Sequence, residues 1–265
     1  MNSQLMDLTA APLISCLCVS RDRPNLLRRA IECFLAQSYP NKELVIVHPP
    51  RDRATAECVR AFASDQLRPV AIEMPGAALG DLRNVSMERA SGEFLCVWDD
   101  DDWHGPERLA LQYGAICASK KCAAILARLI IYDLNSAQAY LGYERLWENS
   151  AMFSRPRIQQ LGIRYPSMNR FEDYDFVNQL IKHNLVYPVY EPTAYVYLCN
   201  GVNTSGGEHL ATLIRRSSQL SPEHSEAVRC AVEFVEPPRR AHERMQSEHF
   251  KSSLCYVRSS AVPRI

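Results

Sequence analysis

The sequence has no long apolar run and no surplus of charge of either sign. No stretch approaches the roughly 20 apolar residues that a membrane-spanning helix requires, and residues 1–13 lack the basic segment and apolar core of a secretory signal. The 30 Lys and Arg residues equal the 30 Asp and Glu residues in number. Because no overall field then favours nucleic acid or an anionic membrane surface, we expect no nucleic-acid partner, and any electrostatic function must be local.

Cysteine pairs with the spacing of a zinc site are also absent. The chain has 10 cysteines in 265 residues, none of them in a C-x-x-C pair, and Cys16 and Cys18 would share one strand face without a second pair nearby. A chain of this length can bury a core that needs no disulfides. We therefore predict no structural zinc, reduced thiols and a cytoplasmic location, with the inner face of the cell membrane as the alternative.

Apolar runs alternate with amphipathic stretches through the first half of the chain. Short apolar runs predict strands covered on both faces, and apolar residues at i, i+3, i+4 and i+7 predict helices between them. The predicted strands are residues 13–19, 43–48, 70–74 and 94–98, and the predicted helices begin at Pro24, Ala54, Leu79 and Pro106. This alternation predicts an α/β fold with a mainly parallel central sheet and helices on both faces.

The alternation loosens after residue 123. Strand patterns follow at residues 123–132, 140–145, 186–190 and 194–198, and a helical pattern at residues 174–183. These patterns predict a small antiparallel extension of the sheet. We assign residues 12–213 to one domain and residues 214–265 to a mostly helical or partly disordered tail.

Four consecutive aspartates, Asp99 to Asp102, follow the apolar run 94–98. Open parallel sheets bind ligands at the carboxyl ends of their strands, where this run is predicted to lie. Adjacent carboxylates repel one another, and Mg²⁺ or Mn²⁺, which take oxygen ligands and leave positions open for phosphates, would relieve the repulsion. A solvated turn that caps the next helix explains the run about equally well.

Five segments resemble, in order, the family 2 glycosyltransferases with the GT-A type fold. The segments are residues 22–47, 82–84, 91–109 (SGEFLCVWDDDDWHGPERL), 171–176 (FEDYDF) and 194–205, within a stretch of about residues 13–205. The resemblance implies a GT-A type domain that moves a sugar from a nucleotide-sugar donor, bound with Mg²⁺ or Mn²⁺, to a hydroxyl acceptor.

The resemblance also implies roles within the acidic run. Asp99 and Asp101 match the family's DxD motif: Asp101 would be the main metal ligand, and Asp99 would face the sugar or ribose and be the second ligand. Asp100 would support the donor side, and Asp102 would orient the loop or cap the following helix. Trp103, beside this loop, is a candidate for stacking on the donor sugar, although such rings more often pack in the core.

Further donor-binding residues follow from the same resemblance. Ser20 and Arg21, at the end of the first strand, would contact the nucleotide base. Arg83, with Asp81 as a further candidate, would lie beside the ribose or sugar.

The stretch after the second strand departs from the family pattern. The family usually has acidic residues there, and this chain has His48. Either Asp52 takes their place, or the donor carries a nucleotide other than uridine diphosphate.

An acidic pair precedes the predicted helix 174–183. Asp173 matches the family's catalytic base, which would take the proton of the attacking hydroxyl, and Glu172 would hydrogen-bond the acceptor. Acidic residues also suit a helix N-terminus, and Asp175 is a weaker alternative base. Together with the other segments, the pattern favours the catalytic assignment.

We therefore expect an inverting glycosyltransferase that acts on a saccharide or lipid-linked saccharide in surface polysaccharide or lipopolysaccharide synthesis. Three alternatives stay open. His48, and Asn200 where relatives often have a metal-binding His, are compatible with a non-catalytic domain that binds carbohydrate or a partner protein. A sugar nucleotidyltransferase is disfavoured because no glycine-rich phosphate loop follows the first strand. The third alternative is peripheral membrane association through basic residues of the tail. No sequence pattern indicates the oligomeric state.

Overall fold

The apolar runs form two sheets that meet at the acidic run. The structure, a computed structural model, describes residues 11–199, 207–252 and 254. In chain order the strands of these residues are β1 Ile14–Val19, β2 Lys42–His48, β3 Leu67–Ala71, β4 Phe94–Val97, β5 Trp103–His104, β6 Ala123–Leu126, β7 Ile130–Asp133, β8 Gln138–Leu141, β9 Met152–Ser154, β10 Val186–Val189, β11 Tyr195–Cys199 and β12 Ser218–Gln219.

The larger sheet has the strand order β10-β6-β9-β4-β1-β2-β3. Its neighbours are parallel except at β9, which is antiparallel to both β4 and β6. Every residue of β2 and β4 is buried, as expected for strands that helices cover on both faces. The smaller sheet, of order β12-β8-β7-β11-β5, is antiparallel except between β7 and β11. The predicted α/β class with a mainly parallel central sheet is confirmed.

Helices connect the parallel strands and cover them. The α-helices are α1 Pro24–Leu35, α2 Arg53–Ala61, α3 Leu79–Arg89, α4 Arg108–Ser119, α5 Arg155–Leu161, α6 Glu172–Lys182, α7 Gly207–Arg216, α8 Pro222–Val232 and α9 Pro238–Met245. The sequence explains where helix α1 begins: Pro24 suits a first turn because the N–H that it lacks would have no partner there. The apolar residues Leu27, Ile31 and Phe34 lie on one face of α1 and are fully buried.

Two predicted elements differ from the structure in ways that affect the site. The apolar run 123–132 is not one strand, because β6 lies in the larger sheet and β7 in the smaller one. Both strands are buried, so hydrophobicity alone does not show the change of sheet. The helix predicted to begin at residue 174 begins at Glu172. Phe171, the residue before it, has a left-handed backbone (φ 66°), which ends the preceding loop and places both acidic residues in the first turn of α6.

The described part of the tail packs into the main core. The boundary predicted after residue 213 falls inside α7. Val228 on α8 and Ala241 and Met245 on α9 are fully buried in the same apolar cluster as Ile14 of β1. The division into residues 12–213 and 214–265 stays a prediction. None of the helices within the described ranges is long and apolar enough to cross a membrane.

Candidate active site

Two adjoining cavities open at the carboxyl edge of the parallel strands. The larger cavity, of about 740 Å³, is lined by the acidic run, Arg83 and the start of α6, among others. The smaller cavity, of about 480 Å³, is lined by the ends of β1 and β2 and by residues 72–77. Val19, Arg23, Leu79 and Asn169 line both cavities, so an elongated ligand can extend from one into the other.

The acidic run is the link between the two sheets, since it joins the end of β4 to the start of β5. Two arginines and a neutral histidine hold its backbone and the end of β4. Arg108 donates from Nη2 to the Val97 carbonyl oxygen at 2.9 Å, and Arg29 donates from Nη2 to the Asp101 carbonyl oxygen at 2.8 Å. Arg108 also donates to Nδ1 of His104, whose Nε2 then donates to the Asp99 carbonyl oxygen at 3.1 Å. Burial and Arg108 lower the pKa of His104, which keeps this ring neutral.

The four aspartates alternate between two environments. The side chains of Asp99 and Asp101 are 23% and 16% exposed. Asp100 and Asp102 are 1% exposed. Asp102 accepts hydrogen bonds from the Tyr195 hydroxyl at 2.6 Å and from the Leu198 N–H at 2.8 Å, and so ties the run to β11. The predicted orienting role of Asp102 therefore has a concrete basis, and it involves β11 as the partner.

Crowding and burial make the run costly to ionise in the absence of a cation. Burial, followed by the Asp101 charge, raises the pKa of Asp100 to about 7. Burial and Asp99 raise the pKa of Asp101, and burial raises the pKa of Asp102 well above its usual range. A cation bound among these groups would stabilise their ionised forms.

An arginine that the sequence predictions missed pairs with this run. Arg23 Nη2 lies 2.6 Å from Asp100 Oδ1, and Arg23 Nη1 lies 3.3 Å from Asp101 Oδ2. The only sequence signal is its place in the loop after β1, two residues beyond Arg21. Tyr143 and Trp147 also line the larger cavity.

Arg83 joins the acidic run to the acidic pair on α6. Its Nη2 lies 3.1 Å from Asp99 Oδ1, and its Nε lies 3.1 Å from Glu172 Oε1. The guanidinium is thus held between the two acidic groups that the resemblance assigned to donor and acceptor. Its role in binding a donor stays a prediction.

The two acids of the pair face different surroundings. Glu172 is 3% exposed and paired with Arg83, and burial raises its pKa. Asp173 is half-buried at the wall of the larger cavity. Among the ion pairs of the described residues Asp173 has no cation, so its carboxylate is the freer of the two to accept a proton.

The smaller cavity contains the predicted base-binding residues. Ser20 and Arg21 both line it, as does His48. His48 is buried, and its Nδ1 lies 2.9 Å from the Pro49 carbonyl oxygen. The cavity therefore offers a hydroxyl, an imidazole and an exposed guanidinium to a ligand, in place of the acidic residues usual for the family.

Three predicted donor-binding residues do not line either cavity. Asp52 caps α2: its carboxylate accepts from the Thr55 N–H and hydroxyl and from the Asp22 N–H. Asp81 is likewise committed, to the Ala78 N–H and the Ser167 hydroxyl. Trp103 is fully buried in the main core beside His242, so its ring cannot stack on a sugar. These three assignments are corrected: helix capping, and in the last case apolar burial, account for the residues.

The residues present fit a divalent cation that takes part of its ligands from a substrate. Within the described residues no group of three or more His, Cys, Asp or Glu side chains is arranged to hold a metal ion. Asp101 and Asp99 expose carboxylate oxygens to the larger cavity. Mg²⁺ and Mn²⁺ are commonly held by one or two carboxylates together with phosphates and water. Asn200 lies outside the described residues.

Comparisons with known proteins agree with this geometry. A family model, glycosyl transferase family 2, matches residues 15–176. The glycosyltransferase GlyA of Streptococcus pneumoniae is 26% identical over 140 residues, which are 49% of this chain and 19% of GlyA. The chain thus spans about a fifth of that relative's length.

Two solved structures share the fold. S. aureus TarS (residues 1–349) in complex with UDP-GlcNAc has a TM-score of 0.60 at 16% identity, over 94% of this chain and 76% of that one. The mannosyltransferase PcManGT of Pyrobaculum calidifontis, in complex with GDP-Man and Mn²⁺, has a TM-score of 0.57 at 16% identity, over 97% of this chain and 83% of that one.

Proposed function

This chain belongs to glycosyl transferase family 2, and we propose that it transfers a sugar from a nucleotide-sugar donor to a hydroxyl acceptor with inversion at the anomeric carbon. The observation that carries the proposal is the pairing of two acidic groups across one cavity. The exposed carboxylates of Asp99 and Asp101 lie on one side, and Asp173 at the start of α6 lies on another. Arg83 spans the distance between Asp99 and Glu172.

The two cavities divide the donor between them. The nucleoside lies in the smaller cavity, against Ser20, Arg21 and His48. The diphosphate lies beside the residues that line both cavities, and the sugar lies in the larger cavity near Asp99. Asp101 and Asp99 hold Mg²⁺ or Mn²⁺, which would offset charge on the leaving diphosphate. The related fold of PcManGT, solved with GDP-Man and Mn²⁺, supports this use of a cation.

Asp173 serves as the general base. The acceptor oxygen forms a bond to the anomeric carbon, the bond from that carbon to the diphosphate oxygen breaks, and the acceptor proton passes to the Asp173 carboxylate. Glu172, held by Arg83, orients the acceptor hydroxyl. The nucleoside diphosphate leaves with the electrons of the broken bond, so one displacement inverts the configuration.

The acceptor is a saccharide or a lipid-linked saccharide, and the pathway is surface polysaccharide or lipopolysaccharide synthesis. The half-buried Tyr143, which lines the larger cavity, supports a sugar acceptor because the C–H faces of sugar rings pack well against aromatic rings. We place the protein in the cytoplasm, at the inner face of the membrane when the acceptor is lipid-linked.

A donor-binding screen tests the proposal. UDP-, GDP-, ADP- and CDP-sugars are added to the full chain with Mn²⁺ or with EDTA, and the melting temperature is recorded. We expect one donor class to stabilise the protein only with Mn²⁺, by about 2.7 kcal/mol at a concentration of a hundred times its Kd. Asp101→Ala should remove this stabilisation, whereas Asp175→Ala, at an exposed position on α6, should retain it.

The screen also distinguishes the proposed glycosyltransferase from the main alternative, a non-catalytic domain. If no nucleotide or nucleotide-sugar stabilises the chain in a metal-dependent way but a saccharide does, the chain is a non-catalytic carbohydrate-binding member of the family. His48, which lines the smaller cavity where the family usually has acidic residues, is the observation that favours this alternative.

A further inference from the structure

Arg23 stands at the junction of the two cavities and contacts the acidic run. It lines both cavities, and its side chain is 40% exposed. A diphosphate that extends from the smaller cavity to the acidic run must pass this guanidinium. No sequence pattern and no assignment above gives Arg23 a function.

The two contacts of Arg23 differ in length. The contact to the buried Asp100 is 2.6 Å, and the contact to the more exposed Asp101 is 3.3 Å. A guanidinium has five N–H donors, so it can keep one carboxylate while it exchanges the other. Asp100 is therefore the anchor, and Asp101 is the partner that can be released.

The other arginines of the site are not free to exchange. Arg83 is 11% exposed and is held between Asp99 and Glu172. Arg29 donates to two carbonyl oxygens, those of Asp101 and Val232. Of the three arginines that contact the acidic run, Arg23 is the one whose side chain pairs with the proposed metal ligand Asp101, and 40% of that side chain is exposed.

A cation on Asp101 and the present position of Arg23 oppose each other. Arg23 already contacts one oxygen of the Asp101 carboxylate, the group on which a divalent ion would bind, and two cations in contact with one carboxylate repel each other. A donor diphosphate brings negative charge to the same junction, where a guanidinium can bind it in a bidentate manner. The diphosphate thus offers Arg23 a replacement for Asp101 and leaves Asp101 open.

We propose that Arg23 couples metal binding to donor binding: it occupies Asp101 in the donor-free protein and moves to the donor diphosphate when the cation binds. This inference rests on the proposed function and extends it, because it names the residue that makes metal and nucleotide bind together. By thermodynamic linkage, the nucleotide tightens metal binding by the same factor by which the metal tightens nucleotide binding.

The test measures Mn²⁺ binding without turnover. Free Mn²⁺ is followed by electron paramagnetic resonance during titration of the full chain, alone and with each of UDP, GDP, ADP and CDP. In the unaltered protein we expect one nucleoside diphosphate to tighten Mn²⁺ binding by about tenfold or more. In Arg23→Met, Mn²⁺ alone should bind about tenfold more tightly, because its competitor is gone, and the tightening by nucleotide should fall to about twofold or less.

Two further variants test whether the effect of Arg23→Met comes from a change in folding. Arg28→Met removes an exposed arginine of α1, the helix that follows Arg23, whose guanidinium packs over Phe62, and should leave both quantities unchanged. Arg23→Met combined with Asp100→Asn removes the buried unpaired charge that the single variant leaves. It should show the same loss of coupling if the single variant does not fold.

The outcomes test the role of Arg23 separately from the proposed glycosyltransferase function. If a nucleoside diphosphate tightens Mn²⁺ binding equally in the unaltered and the altered proteins, the role of Arg23 is wrong and the proposed function stands. If Arg23→Met weakens Mn²⁺ binding in the absence of nucleotide, the competition is overturned. If no nucleoside diphosphate binds to the unaltered chain with Mn²⁺, the proposed function fails, and the inference fails with it.

Discussion

Adjacent aspartates of one run occupy opposite environments in this protein. All four aspartates line the larger cavity, but the side chains of Asp99 and Asp101 are partly exposed, whereas Asp100 and Asp102 are buried and are held by Arg23 and β11. Asp99 and Asp101 also pair with arginines, Arg83 and Arg23, but their side chains stay accessible to a ligand, and their removal should cost the fold little. Removal of the buried Asp102 takes an acceptor from the Tyr195 hydroxyl and from the Leu198 N–H inside the protein. The same division separates Asp173 from Glu172, and it predicts which substitutions change activity and which change stability.

The largest effect should come from the cavity-facing acid on α6. Asp173→Asn should lower the rate of sugar transfer by about 10²- to 10⁴-fold, since the acceptor proton loses its base. Donor binding, measured by calorimetry with Mn²⁺, should change little, because Asp173 is not in contact with the acidic run in the ion pairs of the described residues. Asp175→Asn, on the exposed side of the same turn, is the control. Loss of donor binding in Asp173→Asn would reassign Asp173 to the donor side.

The second-largest effect on sugar transfer should come from Asp101, the proposed metal ligand in the acidic run. Asp101→Asn should lower transfer by about 10²- to 10³-fold, as does the loss of one electrostatic contact to a transition state, and should abolish the response to Mn²⁺. Its melting temperature without metal should stay the same or rise, because one charge is removed from a crowded cluster. A clear fall in that temperature would show that Asp101 is as structural as its neighbours and would break the comparison.

Substitution of Asp102, the next residue in the chain, should lower the stability of the fold, in contrast to substitution of Asp101. Asp102→Ala leaves the Tyr195 hydroxyl and the Leu198 N–H without their acceptor, and should lower the free energy of unfolding by about 2 to 4 kcal/mol. Chemical denaturation at neutral pH without metal measures this difference. The matched substitution Asp101→Ala should cost less than about 1 kcal/mol in the same assay.

The last expected effect is a pH dependence of stability to which Asp100 contributes. Its pKa is about 7 in the folded protein against 3.8 for the free group, so the unfolded chain releases this proton at lower pH. The corresponding stability is fully present below about pH 4 and is lost as the pH rises to about 7. In EDTA, the free energy of unfolding should therefore fall between pH 5 and pH 8, and Asp100→Asn should reduce that fall. An unchanged fall in the variant would place the titration elsewhere.

Much of the fold was predictable from local patterns. Strands β1, β2 and β4 and helix α1 follow from apolar runs and from spacing along the chain, whereas β3, predicted at residues 70–74, is Leu67–Ala71 and mostly exposed. The main failures were the change of sheet between β6 and β7 and the start of α6. Both depend on contacts between segments distant in sequence, which a local pattern does not contain.

The site was predictable in part. Arg83 and the acidic pair on α6 were predicted from the family resemblance, and the structure brings them to one cavity; their roles stay predictions. Asp52, Asp81 and Trp103 were misassigned because helix capping and core packing use the same residue types as ligand binding. Arg23 was missed because its significance lies in a contact with Asp100, 77 positions further along the chain.

By itself, the sequence determined the α/β alternation, the family and the position of four carboxylates at a strand end, since each depends on residues close together in the chain. The tertiary structure decided how those carboxylates differ. Because β5 pairs with β11 in a second sheet, the run lies between two sheets, and its aspartates alternate between partly exposed and buried. That division cannot be read from four identical letters, because it is set by Tyr195, Leu198 and Arg23, which come from other parts of the fold.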